Sequence, residues 1–277
     1  MKRNGFAQVP GARLAWWTDW TDRSDGAGDG IPLVLVHAGV ADARMWEPVV
    51  PALAVTHRVV RVDMRGFGSS RSGRGAFSPA GDITALLDAL EIERAHIVGA
   101  SFGGLVGLEL AATAPDRVAS LVLLAAALPD IEPSPALLAF AEAEEAAIGV
   151  GRVEDAVEIN VSMWAQDSTP AVQSLVAEMQ RDAFVLQLRE GAESDELDPP
   201  VSARLGEIRV PVAVAYGDRD VEDFEQIARR LHAELPDAKL HEIAGAGHLL
   251  ALDQPEAVAQ LILRHLEEAA TPRASPP

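Results

Sequence analysis

Five short, mostly apolar runs constrain the fold of this chain more than any other feature. They are "IPLVLVHAG" (31–39), "HRVVRVDMRG" (57–66), "AHIVGAS" (95–101), "RVASLVLLAAA" (117–127) and "VPVAVAYG" (210–217). A strand with one wet face alternates apolar and polar residues. A run with little alternation suits a strand buried on both faces of a parallel sheet. Parallel neighbours need long crossovers, and the intervening segments supply helices: Ile83, Leu86, Leu87 and Leu90 in 78–92 fall on one helical face. The alternation predicts an α/β protein with a mostly parallel, doubly wound sheet and right-handed crossovers.

Other segments extend the pattern. "GFAQVPGARLAWWTDW" reads as two strands around a Pro-Gly turn, and 21–30 as a polar, glycine-rich loop. Residues 42–54 read as a helix opened by Asp42, made irregular by Pro48 and Pro51. Near the end come a helix in "DFEQIARRLHAEL", a strand and loop in "AKLHEIAGAGH", and a helix in "PEAVAQLILRHLEEAA". From Pro129 to about Pro200 the chain is rich in Ala and Glu, helical in spacing and without a strand pattern. The expected organisation is a core domain over 1–128 and 204–270, a helical cap over 129–203, and a disordered tail over 271–277. An insertion past a strand's carboxyl end lies over the crevice where open α/β sheets bind ligands. It reads as a lid; the alternative is an extra helical layer elsewhere.

Composition narrows the function. Against 42 acidic side chains stand 23 basic ones, a net charge of −19. That argues against nucleic acid and anionic membranes as partners and fits a solubilising acidic surface. The chain has no cysteine, which excludes disulfides, thiolate nucleophiles and cysteine zinc sites. No apolar run follows Lys2 and Arg3, so no signal peptide is expected, and no stretch is long enough to span a membrane. A cytoplasmic protein without metal or cofactor is expected. Its oligomeric state is not legible.

"VGASFGG" (98–104) carries the chemistry. Gly-x-Ser-x-Gly alone is a weak pattern, but here Ser101 falls between an apolar strand and a helix. A turn that tight strains the central residue and lifts its side chain out, while Gly99 and Gly103 avoid collisions across the turn. Gly104 lets the helix pack close to the sheet, and the helix N-terminus offers partial positive charge to a developing oxyanion. A serine nucleophile needs a base. Of seven histidines, only His37 and His248 lie at or beyond the carboxyl end of a strand. His248 follows "GAG" on a loop and is free to point back, whereas His37 reads as a brace for the loop it precedes. The base needs a carboxylate, for which Asp218, Asp220 and Asp130 are candidates. The oxyanion donors expected are the N–H of Phe102 and one from the loop after "LVLVH", Gly39 first and Val40 next. Asp63, Arg65, Gly66 and Gly68 read as a structural turn. "HEIAGAGH" lacks zinc-binding helical spacing, and no P-loop is present.

With "LVLVHAGVADARMW", "RVDMRGFGSS", "AHIVGASFGG", "VPVAVAYGDRD" and "GAGHLLALDQPE", the chain resembles the α/β-hydrolase superfamily across about residues 5 to 270, most nearly its capped esterases, lactonases and carbon–carbon hydrolases. The resemblance implies an α/β-hydrolase fold with Ser101 as nucleophile, His248 as base, Asp220 as acid, and oxyanion donors at Phe102 and Gly39. It departs from the common pattern in having His37-Ala38 where His-Gly is usual. Val40, Met163 and Trp164 are candidate pocket residues; Met163 and Trp164 read equally as cap core. The implied activity is cofactor-free hydrolysis of a small to medium ester or lactone. Cleavage of a carbon–carbon bond in a diketone or ring-cleavage product is the alternative, and a non-catalytic ligand receptor a further one.

Overall fold

A computed structural model describes residues 2–20, 30–73, 75–195 and 197–270. The expected tail at 271–277 and most of the glycine-rich loop, 21–29, lie outside the described residues.

In chain order the elements are β1 (Lys2–Val9), β2 (Ala12–Asp19), β3 (Leu33–Val36), α1 (Val50–Leu53), β4 (Val59–Val62), β5 (Arg71–Ser72), β6 (Gly75–Phe77), α2 (Pro79–Ala89), β7 (Ala95–Ala100), α3 (Phe102–Thr113), β8 (Val118–Leu124), α4 (Pro135–Gly149), α5 (Val153–Trp164), α6 (Pro170–Glu190), β9 (Ala192–Ser194), β10 (Val212–Gly217), α7 (Glu222–Glu234), β11 (Ala238–Ile243), α8 (Leu250–Asp253) and α9 (Pro255–Ala270). The main sheet runs β1-β2-β4-β3-β7-β8-β10-β11, with β5 paired to β2. β1 with β2 and β2 with β4 are antiparallel; from β4 to β11 every pairing is parallel. This is the mostly parallel sheet expected from the apolar runs, in the α/β-hydrolase arrangement that the resemblance implies. β3, β4, β8 and β10 are buried at every position, as strands covered on both faces must be.

Helix starts follow local chemistry. α2, α4 and α6 each begin with a hydroxyl residue followed by proline. Ser78, Ser134 and Thr169 accept the N–H groups of Gly81, Leu137 and Val172, and the prolines occupy a position that needs no donor.

Three readings of the sequence need correction. The single helix expected over 42–54 is a 3-10 turn at Ala43–Trp46 and one α-turn at α1. Asp42 does cap the first, accepting from the Arg44 N–H, but Pro48 and Pro51 remove donors a continuous helix would need. The strand read over 57–66 spans only Val59–Val62, because Asp63 onward folds into a turn. The stretch 129–203, read without a strand, contains β9, which pairs in parallel with β6 in a separate two-stranded sheet. Strands of three residues are too short for a period to show.

Candidate active site

Because β7, β8, β10 and β11 run parallel, their carboxyl ends share one edge of the sheet, and the candidate nucleophile, base and acids each follow one of those ends. Ser101 sits between β7 and α3 with φ 51° and ψ −117°, a backbone region that non-glycine residues rarely occupy. Its N–H donates to the Leu124 carbonyl, and its carbonyl accepts from Gly104, Leu105 and Ala127. The strained turn is thus held from α3 and from the segment after β8. A Cβ on Gly99 would lie 2.2 Å from the Gly103 carbonyl oxygen, across the turn as expected. A Cβ on Gly103 would instead meet the Val36 carbonyl oxygen at 2.2 Å, so that glycine serves the approach of α3 to β3.

His248 lies beyond β11 and Asp220 beyond β10. His248 Nδ1 and Asp220 Oδ2 are 3.0 Å apart, with side chains only 3% and 2% exposed. The other carboxylate oxygen, Oδ1, accepts the Val221 N–H at 2.7 Å, which holds the carboxylate with Oδ2 toward the ring. The loop carrying His248 is braced on both sides. Asp218 accepts the Gly245 N–H at 2.6 Å, and Asp253 accepts the Gly247 N–H at 3.0 Å. Asp218 therefore bonds the neighbouring loop. Asp130 is turned away: it adopts φ 64° and accepts the Ser202 hydroxyl at 2.6 Å. Of the three candidate acids, only Asp220 meets His248.

His37 is fully buried and braces the loop it precedes. Its Nε2 accepts the Met64 N–H at 2.9 Å, which puts the proton on Nδ1, where it donates to the Ala38 carbonyl at 2.8 Å. Burial lowers its pKa to about 4, so it stays neutral. Asp63 anchors the adjoining turn, accepting from Ala43 and Ser69, and burial raises its pKa to about 6. Arg65 forms a two-point bond to Asp82 of α2, which fixes the same turn from beneath.

The Phe102 N–H opens α3 and has no acceptor among the described residues. Gly39 lies beside the Phe102 side chain: a Cβ there would be 3.6 Å from Phe102 Cβ. Gly39 and Val40 occupy the turn closed by the Ala41 N–H on the Ala38 carbonyl, and Val40 is buried.

Trp164, at the end of α5, reaches His248 with ring centroids 4.5 Å apart. Phe224 of α7 lies 4.2 Å from the same imidazole, and Phe140 of α4 packs edge-on against Trp164. Phe224, Phe140 and Asp253 were not singled out from the sequence. Phe224 falls on the apolar face of an amphipathic helix, where an aromatic residue signals core, so no local signal marks its role. Met163 and Trp164 line a cavity of about 260 Å³ that also touches Arg219, Asp220, Gly247 and His248. A second cavity of about 530 Å³ is lined by Phe102, Leu105, Pro129, Leu197 and Val201, with Glu109 and Asp130 at its wall.

Helix α6 is tied to the sheet domain near the Gly39 loop. Arg44 grips Asp42 through Nε and Nη2 and also pairs with Glu178 and Asp182 of α6. Gln187 donates to the Gly66 carbonyl at 3.2 Å, and Glu190 accepts the Ser72 N–H at 2.8 Å. Among the described residues no group of three or more His, Asp or Glu is placed to hold a metal ion, and no helix is long and apolar enough to cross a membrane.

The family profile described as alpha/beta hydrolase fold matches residues 31–255. The chain is 29% identical over 282 residues to rhodomycin D methylesterase DauP of Streptomyces sp. strain C5, covering 89% of this chain and 95% of that protein. It is 28% identical over 254 residues to a 2-hydroxy-6-oxo-2,4-heptadienoate hydrolase of Pseudomonas putida, covering 85% and 88%. Among solved structures, a hydrolase from Pseudomonas aeruginosa PA01 superposes with a TM-score of 0.77 at 27% identity, covering 95% of this chain and 98% of that one.

Proposed function

The chain belongs to the α/β-hydrolase fold family, and from that premise we propose that it cleaves a small to medium carboxylic ester or lactone through an acyl-enzyme formed on Ser101. The observation that carries this reading is the buried 3.0 Å bond between His248 and Asp220 at the sheet edge where Ser101 holds its strained turn. With Nδ1–H donating to Asp220, the lone pair of His248 is on Nε2, the tautomer a serine nucleophile needs. Ser101 Oγ attacks the carbonyl carbon while His248 Nε2 takes its proton. The N–H groups of Phe102 and Gly39 receive the oxyanion. Collapse expels the alkoxide, which takes the proton back from His248. Water then attacks the acyl-enzyme with the same base and frees Ser101 and the carboxylic acid. No step calls for a metal or cofactor.

Residues 129–203 act in this reading as a cap. The ring of Trp164 on His248 and the bonds of α6 to Arg44, Gly66 and Ser72 support that assignment. The cavity beside Phe102, with Leu105 and Leu197 in its wall, suits a short apolar acyl or alcohol group. The likeness to a heptadienoate hydrolase favours one second reading, carbon–carbon cleavage, which needs a proton delivered to carbon.

A fluorophosphonate probe tests the serine, and a substrate panel tests the bond. The probe is expected to label the protein, and Ser101→Ala to abolish labelling and lower p-nitrophenyl butyrate turnover by about 10⁴ or more. Labelling that persists in Ser101→Ala refutes the assignment. A labelled enzyme that ignores esters and lactones but cleaves a dienol diketone moves the reading to the carbon–carbon bond.

A further inference from the structure

The His248 imidazole sits in the corner formed by two aromatic rings from different layers, Trp164 of α5 at 4.5 Å and Phe224 of α7 at 4.2 Å. The rings are tilted to the imidazole by 40° and 57°, and they touch each other at 5.8 Å. Asp220 completes the surround at Nδ1. His248 is 5% exposed, so water does little to solvate the imidazolium that forms when it takes a proton. An aromatic face attracts a cation within about 6 Å of its centre, most strongly for tryptophan and when solvent is excluded.

We propose that Trp164 and Phe224 are positioning residues that hold His248 and stabilise its protonated form through their ring faces, so that the helical insertion contributes to the base itself. This rests on the assignment of His248 as base. One partner, Trp164, comes from the insertion and is backed by Phe140 of α4, so displacement of α4 and α5 removes half of the aromatic surround. The other belongs to the sheet domain and stays.

The charged groups around His248 leave the rings a distinct part to play. Asp220 is bonded directly to it. Arg219 and Asp167 line the cavity beside it. Asp253 is occupied by the Gly247 N–H and the Ser168 hydroxyl, Asp218 by the Gly245 N–H, and Asp223 of α7 by the Ser134 N–H. Leucine alters none of these groups directly; it keeps apolar cover but removes the π face and part of the ring's volume, and water admitted to that space would favour the imidazolium. Two effects then have opposite signs. If the rings act only by excluding water, they penalise the imidazolium, and leucine leaves the pKa of His248 unchanged or raises it. If their faces stabilise the cation, leucine lowers it.

The test is an NMR titration of the His248 ring in the free protein, read for wild type, Trp164→Phe, Trp164→Leu and Phe224→Leu, and assigned with His248→Gln. Both leucine variants should lower the pKa by roughly 0.5–1 unit, with Trp164→Phe near wild type. The acid limb of kcat/KM for p-nitrophenyl butyrate should move down with it. A pKa that is unchanged or higher in both leucine variants overturns the proposal. The titration does not depend on turnover. An inactive wild-type protein whose His248 pKa still falls in the leucine variants therefore supports the aromatic surround while refuting the hydrolase assignment.

Discussion

Replacing Asp220 by asparagine tests the site most sharply, because the structure dictates which way the new amide must face. Asp220 Oδ1 is held by the Val221 N–H at 2.7 Å, a contact only an oxygen can accept. In Asp220→Asn the carbonyl oxygen therefore keeps that position and the NH₂ faces His248 Nδ1, 3.0 Å away in the native pair. An N–H donor there forces Nδ1 to be the acceptor and moves the ring proton to Nε2, where it cannot take the Ser101 proton. The imidazolium also loses its counter-charge. Unit charges about 4 Å apart at an effective dielectric of 20 interact by about 4 kcal/mol, and that is about three powers of ten in rate. Tautomer and charge together set the expected loss in kcat at about 10³–10⁴, the size seen for the equivalent change in a serine protease. The assay is kcat for p-nitrophenyl butyrate, with thermal melting to show that each variant folds. Asp218→Asn and Asp130→Asn are the controls. Each carboxylate accepts one hydrogen bond, from Gly245 or Ser202, which an asparagine carbonyl still accepts. Both should lose only a few-fold. A folded Asp220→Asn enzyme within about tenfold of wild type would refute the reasoning, as would a dead Asp130→Asn beside an active Asp220→Asn.

Two further outcomes concern stability. His37 has a pKa lowered from 6.5 to about 4, so the stability it contributes is full above pH 6.5 and lost as pH falls toward 4. Between pH 7 and pH 5 that loss is about 2 kcal/mol. Urea unfolding should show wild type losing that much more than His37→Asn over the interval, and equal losses would contradict the assignment. Arg65 and Asp82 form a buried two-point pair with side chains 4% and 8% exposed, and burial raises the Asp82 pKa despite the guanidinium. Asp82→Ala leaves that guanidinium uncompensated and should cost about 3–5 kcal/mol, while Arg65→Met with Asp82→Leu should recover most of it. Denaturant midpoints decide between them, and a cost below about 1 kcal/mol for Asp82→Ala would show the pair to be solvated.

The sequence by itself determined the parallel sheet and the place of the nucleophile candidate. Both depend on local patterns: apolar runs such as 33–36 and 118–124 that no half-wet strand tolerates, and glycines at 99 and 103 that backbone crowding demands. The bracing role of His37 was legible for the same reason, since its position directly after a buried strand leaves it facing the next loop. Tertiary structure alone decided the rest. Asp130, Asp218 and Asp220 all follow strand ends; the resemblance points to Asp220, but nothing in their local pattern separates them. What separates them is the aim of a side chain, set by a left-handed backbone at Asp130, by the Gly245 N–H at Asp218 and by the Val221 N–H at Asp220. Trp164 and Phe224 meet on His248 from two helices far apart in the chain. Each is placed by the apolar face of its own helix, and periodicity reports that a face is buried but not which side chain it is buried against.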